Sequence, residues 1–468
     1  MRKLRWTSDG NFWDLDCSTP ATIEGSAVPV PGEPLPLGVS RGTRLSRPKQ
    51  IDFLQRFMAA PFVPTCSGLL TPGLSLQRVL TLPFWENWFV ALLGQFNLQK
   101  FVSSVRKNGL VKEPNASWLQ GIGTHLQDKS LYALNFCSEM LLTPDDTLLV
   151  SVEDSLDKRN PRKKAVFRHK FPCHDLLVEA AWPGLFIGRD GAYWEVPSSM
   201  SVDLASVASD SGPSYHLSMH RNAGLPKPFE TEGSESSMVP ASLLPGVAVK
   251  GAFAFKKNFN IWRSEGSMLK LVIPNDIFLL NPHISASGII GAAITTLVGD
   301  NSEKSQIERC HRDFQGLHLN APPIKSALLA DTFASVLFSA QHGSFQKMFF
   351  DLTRFQARLD FPSGTKLLMG GVQLAQDFLY SQTPSLETIQ SVCPSATVSL
   401  QQQIGGPFSF RVDSRIQVDL KDRPMPVHID ESVFAIEYAL QVLGSAKAVA
   451  WYSPRNREFM VELRFFEK

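Results

Sequence analysis

Charged residues and cysteines are both scarce in this chain. Asp, Glu, Lys and Arg make up 19% of its 468 residues, below the usual share of about a quarter. The formal net charge is +2, and no nucleic-acid motif or arginine-rich tail occurs, so we expect no nucleic acid partner. The six cysteines are scattered without a C-x-x-C pair, which indicates reduced structural thiols rather than a disulfide framework.

The short signatures of common enzyme classes are also missing. The chain contains no G-x-S-x-G nucleophile elbow, phosphate loop, dinucleotide fingerprint or H-E-x-x-H motif. His216 and His220 share one face of a predicted strand about 13 Å apart, too far for one metal ion. Cys310 and His311 are adjacent but lack further ligands. We therefore predict no catalytic residues, no cofactor and no metal site.

Long hydrophobic runs are lacking as well. The mean hydropathy of −0.05 is too low for a polytopic helical membrane protein. Residues 277–299 carry no charge, but the cleanest apolar core, 284–298, is shorter than the roughly 20 residues of a spanning helix. We expect a barrel strand there, or a small-residue helix packed on protein.

The first 16 residues lack an apolar h-region and contain three Asp, so they predict neither a signal peptide nor a cleaved transit peptide.

Strict alternation of apolar and polar residues is the main positive feature. It is clearest at 407–420, where one face is apolar except for Ser414 and the other is polar or charged. A period of two over this length predicts a β-strand. The same pattern recurs at 132–140, 247–256, 354–361, 433–443 and 459–466.

These patterns predict an all-β fold, a membrane β-barrel of about 12–16 antiparallel strands with a few short helices. Residues 1–75 form a separate Pro-rich basic segment with a short amphipathic helix at 50–60, and residues 76–468 form the barrel. Another short helix is predicted at 385–392. Alternation alone leaves a soluble β-sandwich equally open, since such a sheet turns its apolar face to a core. The strand lengths favour a membrane, which needs about 9–11 residues for each crossing.

Several uninterrupted strings resemble one plant family, and together they cover nearly the whole chain. The family is that of the trigalactosyldiacylglycerol four proteins, lipid-transfer β-barrels of the chloroplast outer envelope. The strings lie at 13–20, 36–50, 75–83, 129–134, 211–217, 350–355, 399–404, 434–440 and 459–466.

The resemblance implies the function and the partners. It implies lipid transfer from the endoplasmic reticulum to the plastid across the outer envelope membrane, with contact sites between the two as a further location. It implies binding of phosphatidic acid and membrane lipids, self-association as a homodimer, and action with an inner-envelope ABC-type lipid transporter. The family carries no short catalytic motif, so the resemblance implies no enzymatic activity.

Two sets of residues are candidates for contact with lipid. The basic run Arg41, Arg44, Arg47 and Lys49 is predicted to bind the headgroup, because guanidinium forks bind phosphomonoesters through charge-assisted hydrogen bonds. Inward-facing residues are predicted to line the lumen and to guide polar headgroups, unless they only pair with one another to fill the barrel. These lumen candidates are Arg354, Arg358, Arg411, Arg415, Glu437 and Arg464.

Two other functions remain open from the residues. A porin-like solute channel of the outer envelope has the same strand pattern and predicts ion conductance in planar bilayers. A soluble β-rich interaction protein or enzyme predicts release from membranes by alkaline carbonate, which an integral barrel resists.

Overall fold

The computed structural model describes nearly two thirds of the chain, with gaps in the N-terminal part and at several connections. The described residues are 27–31, 37, 62–66, 73–108, 123, 125–155, 161–188, 192–206, 211–228, 239–260, 283–298, 317–321, 326–343, 352–381, 383–418, 427–440, 446–455 and 458–465.

Most of the described residues lie in antiparallel strands of one closed barrel. The barrel strands are β2 (Phe62–Cys66), β3 (Gly73–Trp85), β4 (Trp88–Asn97), β5 (Tyr132–Leu141), β6 (Asp146–Ser155), β7 (Arg162–Lys170), β8 (His174–Trp182), β11 (Ser198–Ser206), β12 (Gly212–Ala223), β14 (Gly246–Asn260), β15 (His283–Val298), β16 (Leu317–Ala321), β17 (Ser326–His342), β18 (Thr353–Phe361), β19 (Ser395–Gly405), β20 (Phe408–Val418), β21 (Val427–Leu440), β22 (Ala446–Ser453) and β23 (Glu458–Phe465).

Neighbours around the ring follow chain order, and β2 closes it. Phe62–Cys66 pairs with β3 on one side and with β23 on the other. Strand β16 pairs only with the first residues of β17. Nineteen of the described strands thus belong to the barrel, so the predicted number of 12–16 is too low.

The undercount has a physical reason that β7 illustrates. Residues 154–164 contain many charges and look like a loop, yet Arg162–Lys170 is a strand. Its charged side chains Arg162 and Lys164 point inward and are buried. A strand with charges on its inward face loses the apolar signal by which a strand is recognised.

The alternation places apolar side chains outside and charged side chains inside. On β21, Ile436 is 49% exposed whereas the next residue, Glu437, is only 4% exposed. Arg411 on β20 is likewise buried between the exposed Phe410 and the outward-facing Val412. A soluble sandwich buries its apolar face. The opposite arrangement seen here therefore favours the membrane β-barrel over the soluble β-sandwich.

The uncharged segment at 277–299 contributes a barrel strand. Its residues His283–Val298 form β15, which pairs with β14 and β17 along its whole length. The strand alternative predicted for this segment is therefore correct. Among the described residues, no helix is both long and apolar enough to cross a bilayer.

A second, four-stranded sheet involves the N-terminal part of the chain. Its strands are β1 (Ala27–Pro29), β9 (Gly184–Ile187), β10 (Tyr193–Val196) and β13 (Lys227–Pro228). β1 runs parallel to β9, and the hairpin of β9 and β10 connects barrel strands β8 and β11. The small sheet therefore lies at the barrel end where β8 finishes and β11 begins.

The helices with described bounds lie in connections between barrel strands. They are α1 (Leu98–Asn108), α2 (Gly364–Leu379) and α3 (Leu386–Val392), with 3₁₀ turns at Lys129–Leu131 and Ala241–Leu243. α3 confirms the helix predicted at 385–392, and the Ser385 side chain caps it by accepting from the Thr388 amide at 3.1 Å. The helix predicted at 50–60 lies outside the described residues.

Segment 1–75 contributes one complete strand to the small sheet and one to the barrel. β1 joins the small sheet, β2 joins the barrel, and β3 begins at Gly73, before the predicted boundary. The division into 1–75 and 76–468 as separate units stays a prediction, because most of residues 1–61 lies outside the described ranges.

Candidate functional site in the filled barrel interior

Many side chains on the inner face of the barrel are buried. On many of the strands with described side chains, inward-facing polar residues are less than a tenth exposed, although a wide open lumen would leave them in contact with water. Examples from β4, β6, β14, β17 and β20 are Gln95, Glu153, Lys250, Gln341 and Arg411.

Five of the six predicted lumen residues have described side chains, and all five lie on inward-facing positions. Arg354 and Arg358 are on β18, Arg411 and Arg415 are on β20, and Glu437 is on β21; each alternates with outward-facing apolar neighbours. Arg464 pairs through its backbone with Lys447 in the β22–β23 ladder, and its side chain lies outside the described atoms.

Arg411 connects two buried carboxylates. Its Nη1 donates to Glu437 Oε1 at 2.7 Å, and its Nε lies 3.1 Å from Asp413 Oδ2. Ser399 donates to Asp413 at 2.5 Å and Gln401 donates to Glu437 at 3.3 Å. The Arg411 guanidinium therefore compensates two carboxylates whose burial alone would be strongly unfavourable.

Two further lumen arginines are also paired with protein carboxylates. Arg415 Nη1 donates to Glu431 Oε2 at 3.3 Å, and Ser453 donates to the other oxygen of Glu431 at 3.2 Å. Arg358 Nε donates to Asp360 at 2.8 Å. These contacts favour the alternative in which the charges pair to fill the barrel, and guidance of lipid headgroups by these residues stays a prediction.

An apolar socket lies on the inner wall between these two networks. Inward positions on β21 run Glu431, Val433, Ala435 and Glu437, so two apolar residues are bracketed by the two paired glutamates. Leu37 packs into this position and is 4% exposed. We call the inward side chains that hold it the Leu37 socket; they are Val433, Ala435, Val449 and Trp451.

The N-terminal segment also contacts the far side of the interior. The Val30 amide donates to the Ile187 carbonyl of β9 at 3.0 Å. The Val30 side chain is buried in a cluster with Phe186, Trp194, Val196 and Leu243. Val30 is thus fixed to the small sheet, at the β8–β11 end of the barrel.

Two contacts place this small sheet region inside the barrel mouth. A Cβ on Gly184 would lie 2.3 Å from Ser199 Oγ, and Ser199 shares the inward face of β11 with the buried Ser201. The buried Asn222 of β12 donates to the Ser242 carbonyl at 2.9 Å. Glycine at 184 is required by this close approach to the inner wall.

Val30 and Leu37 therefore contact two different parts of the fold, the small sheet between β8 and β11 and the inner wall at β21 and β22. Between β11 and β21, seven strands besides the short β16 lie on one side of the ring and nine on the other. Val30 and Leu37 are seven residues apart, a distance that an extended chain spans at up to about 25 Å. Leu37 thus lies inside the barrel, and no pattern in the neighbouring sequence marks it as an interior residue.

The predicted headgroup residues Arg41, Arg44, Arg47 and Lys49 lie outside the described residues. In the chain they follow Leu37, which is inside the barrel, and precede Phe62–Cys66, which is in its wall. Their contacts with lipid stay a prediction.

A second set of buried ion pairs on β6, β7 and β8 was missed by sequence reasoning. Arg162 Nη1 donates to Glu153 at 3.3 Å and Lys164 Nζ lies 2.9 Å from Glu179. On the neighbouring strands, His216 Nε2 lies 3.3 Å from Asp203. The available signal was the alternation of Arg162 and Lys164 along what looked like a charged loop.

The interior also has an apolar patch beside this region. Phe333 of β17 packs over Gly291 of β15, where a Cβ would lie 2.0 Å from its ring. The ring therefore needs a glycine beneath it. The patch comprises Ala252, Ala254, Ile289, Phe333 and Leu337.

Comparison with known proteins gives one full-length relative. No protein-family model matches the chain. The chain is 53% identical over 481 residues to the Arabidopsis thaliana protein described as Protein TRIGALACTOSYLDIACYLGLYCEROL 4, chloroplastic, and the match covers 100% of both chains. Among solved structures, the crystal structure of Pseudomonas aeruginosa OpdK with vanillate aligns at 8% identity with a TM-score of 0.36, covering 86% of this chain and 94% of OpdK.

Proposed function

Because the chain belongs to the family of the Arabidopsis protein Trigalactosyldiacylglycerol 4, chloroplastic, we propose that it works in lipid trafficking in the chloroplast. The support is 53% identity along the whole of both chains. In finer terms, we propose transfer of lipid from the endoplasmic reticulum to the plastid across the outer envelope, with phosphatidic acid as the bound lipid.

The filled interior is the observation that favours lipid transfer over solute conduction. A porin needs a water-filled lumen. Here many inward side chains are buried, Leu37 is buried against the inner wall, and Val30 is buried against the small sheet. The outward face, in contrast, is apolar over many strands and suits contact with lipid.

We place the headgroup site in the basic run at 41–49. Phosphatidic acid carries a phosphomonoester with up to two negative charges, and Arg41, Arg44 and Arg47 offer guanidinium forks for it. The run begins four residues after Leu37, so the proposed lipid-binding run closely follows a residue that is buried inside the barrel.

Location and partners follow from the same proposal. A β-barrel that crosses a membrane fits the outer envelope, including sites where the endoplasmic reticulum lies close. The chain has no nucleotide-binding motif, so energy for directed transfer has to come from a partner, for which we propose an inner-envelope ABC-type transporter. We further propose that the barrel is a homodimer and is not an enzyme.

Vesicle flotation tests the headgroup proposal. The variant Arg41→Ala, Arg44→Ala, Arg47→Ala, Lys49→Ala should float less with phosphatidic acid vesicles at fixed salt, while binding to phosphatidylcholine vesicles stays low for both chains. The loss follows because four cations that pair with the phosphomonoester are removed.

A matched control removes the same charge from exposed positions on barrel strands and on β13 of the small sheet. These positions are Lys163, Lys170, Arg221 and Lys227. If the control loses as much binding as the 41–49 variant, the attraction is nonspecific and the headgroup site is elsewhere.

A further inference from the structure

Helix α2, between β18 and β19, exposes a broad apolar face. Leu368, Val372 and Leu379 recur at helical spacing and are 69%, 58% and 81% exposed. Met369 and Phe378 flank them and are also exposed, as is Tyr380 just after the helix. A surface helix normally turns its apolar face to the protein, so this face indicates a partner other than the described residues of the chain.

The first turn of α2 is fixed to the barrel strand β17. The Thr365 amide and hydroxyl both donate to Asp331 Oδ1, at 3.2 and 3.0 Å. Ser363 caps the helix by accepting from the Lys366 amide at 3.3 Å. Burial lowers the pKa of Lys366, and the Asp331 carboxylate opposes that shift. The helix start is therefore a defined part of the fold.

This anchor lies at the edge of the wall, where Asp331 has the inward parity of the buried Phe333 and Thr332 has the outward parity. A Cβ on Gly364 would lie 1.9 Å from Thr332 Oγ1, and Thr332 is an exposed, outward-facing residue of β17. The outward positions that continue from it include Val336 and Phe338, and Ile290 faces outward on the adjacent β15; all three are exposed. The helix thus begins at the margin of the apolar surface that faces lipid.

Length and charge limit what the apolar face can contact. Its 16 residues give a length of about 24 Å, and they fall short of the roughly 20 apolar residues that a spanning helix needs. Lys366 and Asp377 are the charged residues within Gly364–Leu379, so the helix has no net charge. Binding to it should depend on apolar area and not on anionic lipid.

We propose that α2 lies in the interface of the membrane that holds the barrel, with Leu368, Val372 and Leu379 inserted among the lipids. Its partner is a neutral lipid surface, because the helix lacks the cationic face of helices that bind anionic membranes. Continuity with the lipid-facing surface at Thr332 supports this occupant over a soluble protein. The inference goes beyond the proposed function and depends only on the barrel being in a membrane.

Site-specific photo-crosslinking tests the proposal on the full chain with its natural cysteines. Benzoylphenylalanine is placed at Val372, at Leu379 or at the exposed polar control position Gln373, and each chain is inserted into phosphatidylcholine vesicles. After irradiation, mass spectrometry should detect lipid adducts at 372 and 379, and their yield should be severalfold higher than the yield at 373. Adding anionic lipid or salt should leave these yields unchanged.

Other outcomes overturn the proposal. Equal lipid adducts at 372, 379 and 373 would mean that the apolar face is not the inserted one. Chain-to-chain products at 372 and 379, lost when each vesicle holds one chain, would identify a second copy as the occupant. Leu379 lies at the helix end and is highly exposed. If the chain altered at 372 fails to insert, the lipid-adduct yield at 379 still tests the proposal. Failure of phosphatidic acid binding would leave this result unaffected.

Discussion

Leu37 fills an apolar position on the inner wall, and a single substitution can empty it. Leu37→Ala removes a buried side chain from contact with Val433, Ala435, Val449 and Trp451. Large-to-small changes of this kind cost about 2–5 kcal/mol. Because about 1.4 kcal/mol is a factor of ten in an equilibrium, the ratio of docked to undocked segment should fall by roughly 30- to several-thousand-fold.

Leu37→Asp should undock the segment more completely. The new carboxylate would lie on an apolar surface whose neighbours along β21 are Glu431 and Glu437, both already paired with arginine. Burying an unpaired charge there is strongly unfavourable. The pairing of β1 with β9 should persist, since it lies on the other side of the interior.

Single-barrel conductance in planar bilayers measures the result. The natural chain should conduct little, Leu37→Ala should open intermittently, and Leu37→Asp should be open most of the time. Phe434→Ala is the matched control, because Phe434 neighbours the socket residue Val433 but faces outward. If Leu37→Asp forms a folded barrel and its conductance equals that of the natural chain, the reasoning about the filled interior is wrong. High conductance of the natural chain would favour the porin-like alternative.

Three further experiments test the barrel itself. Alkaline carbonate should leave the natural chain in the membrane pellet because its outward face is apolar, and release into the supernatant would contradict this. Arg411→Met should lower the free energy of unfolding in urea by about 3–5 kcal/mol, because it strands Asp413 and Glu437 as buried charges; the outward control Phe410→Met should cost less than about 1.5 kcal/mol. Ile436→Arg should cost about 2–4 kcal/mol if it lies near the bilayer midplane, whereas Ile436→Leu should have little effect on the same unfolding curve.

Local pattern was sufficient where both faces of a strand carry a clear signal. The strand predicted at 407–420 is Phe408–Val418, and the alternating pattern at 459–466 corresponds to Glu458–Phe465. Local pattern failed for Arg162–Lys170, because inward charges and short length resemble a loop. It also missed α2, several of whose apolar residues are exposed and whose interior contains Gly370 and Gly371.

The candidate site was less accessible to sequence reasoning than the strands. The inward-facing arginines could be selected by alternation, but their partners on other strands could not, because pairing across strands depends on register. Arg411 meets Glu437 only because β20 and β21 are antiparallel neighbours in a particular register. The prediction that residues 41–49 bind the lipid headgroup depends on residue type alone.

The sequence by itself determined the β-structure and its two chemically distinct faces, because strand periodicity depends on residues only two positions apart. Tertiary structure alone decided which face is inside, since ring closure sets that choice for all strands together. It also decided what fills the ring. Leu37 meets Val433 and Trp451 about 400 residues further along the chain, and no local pattern encodes a contact at that separation.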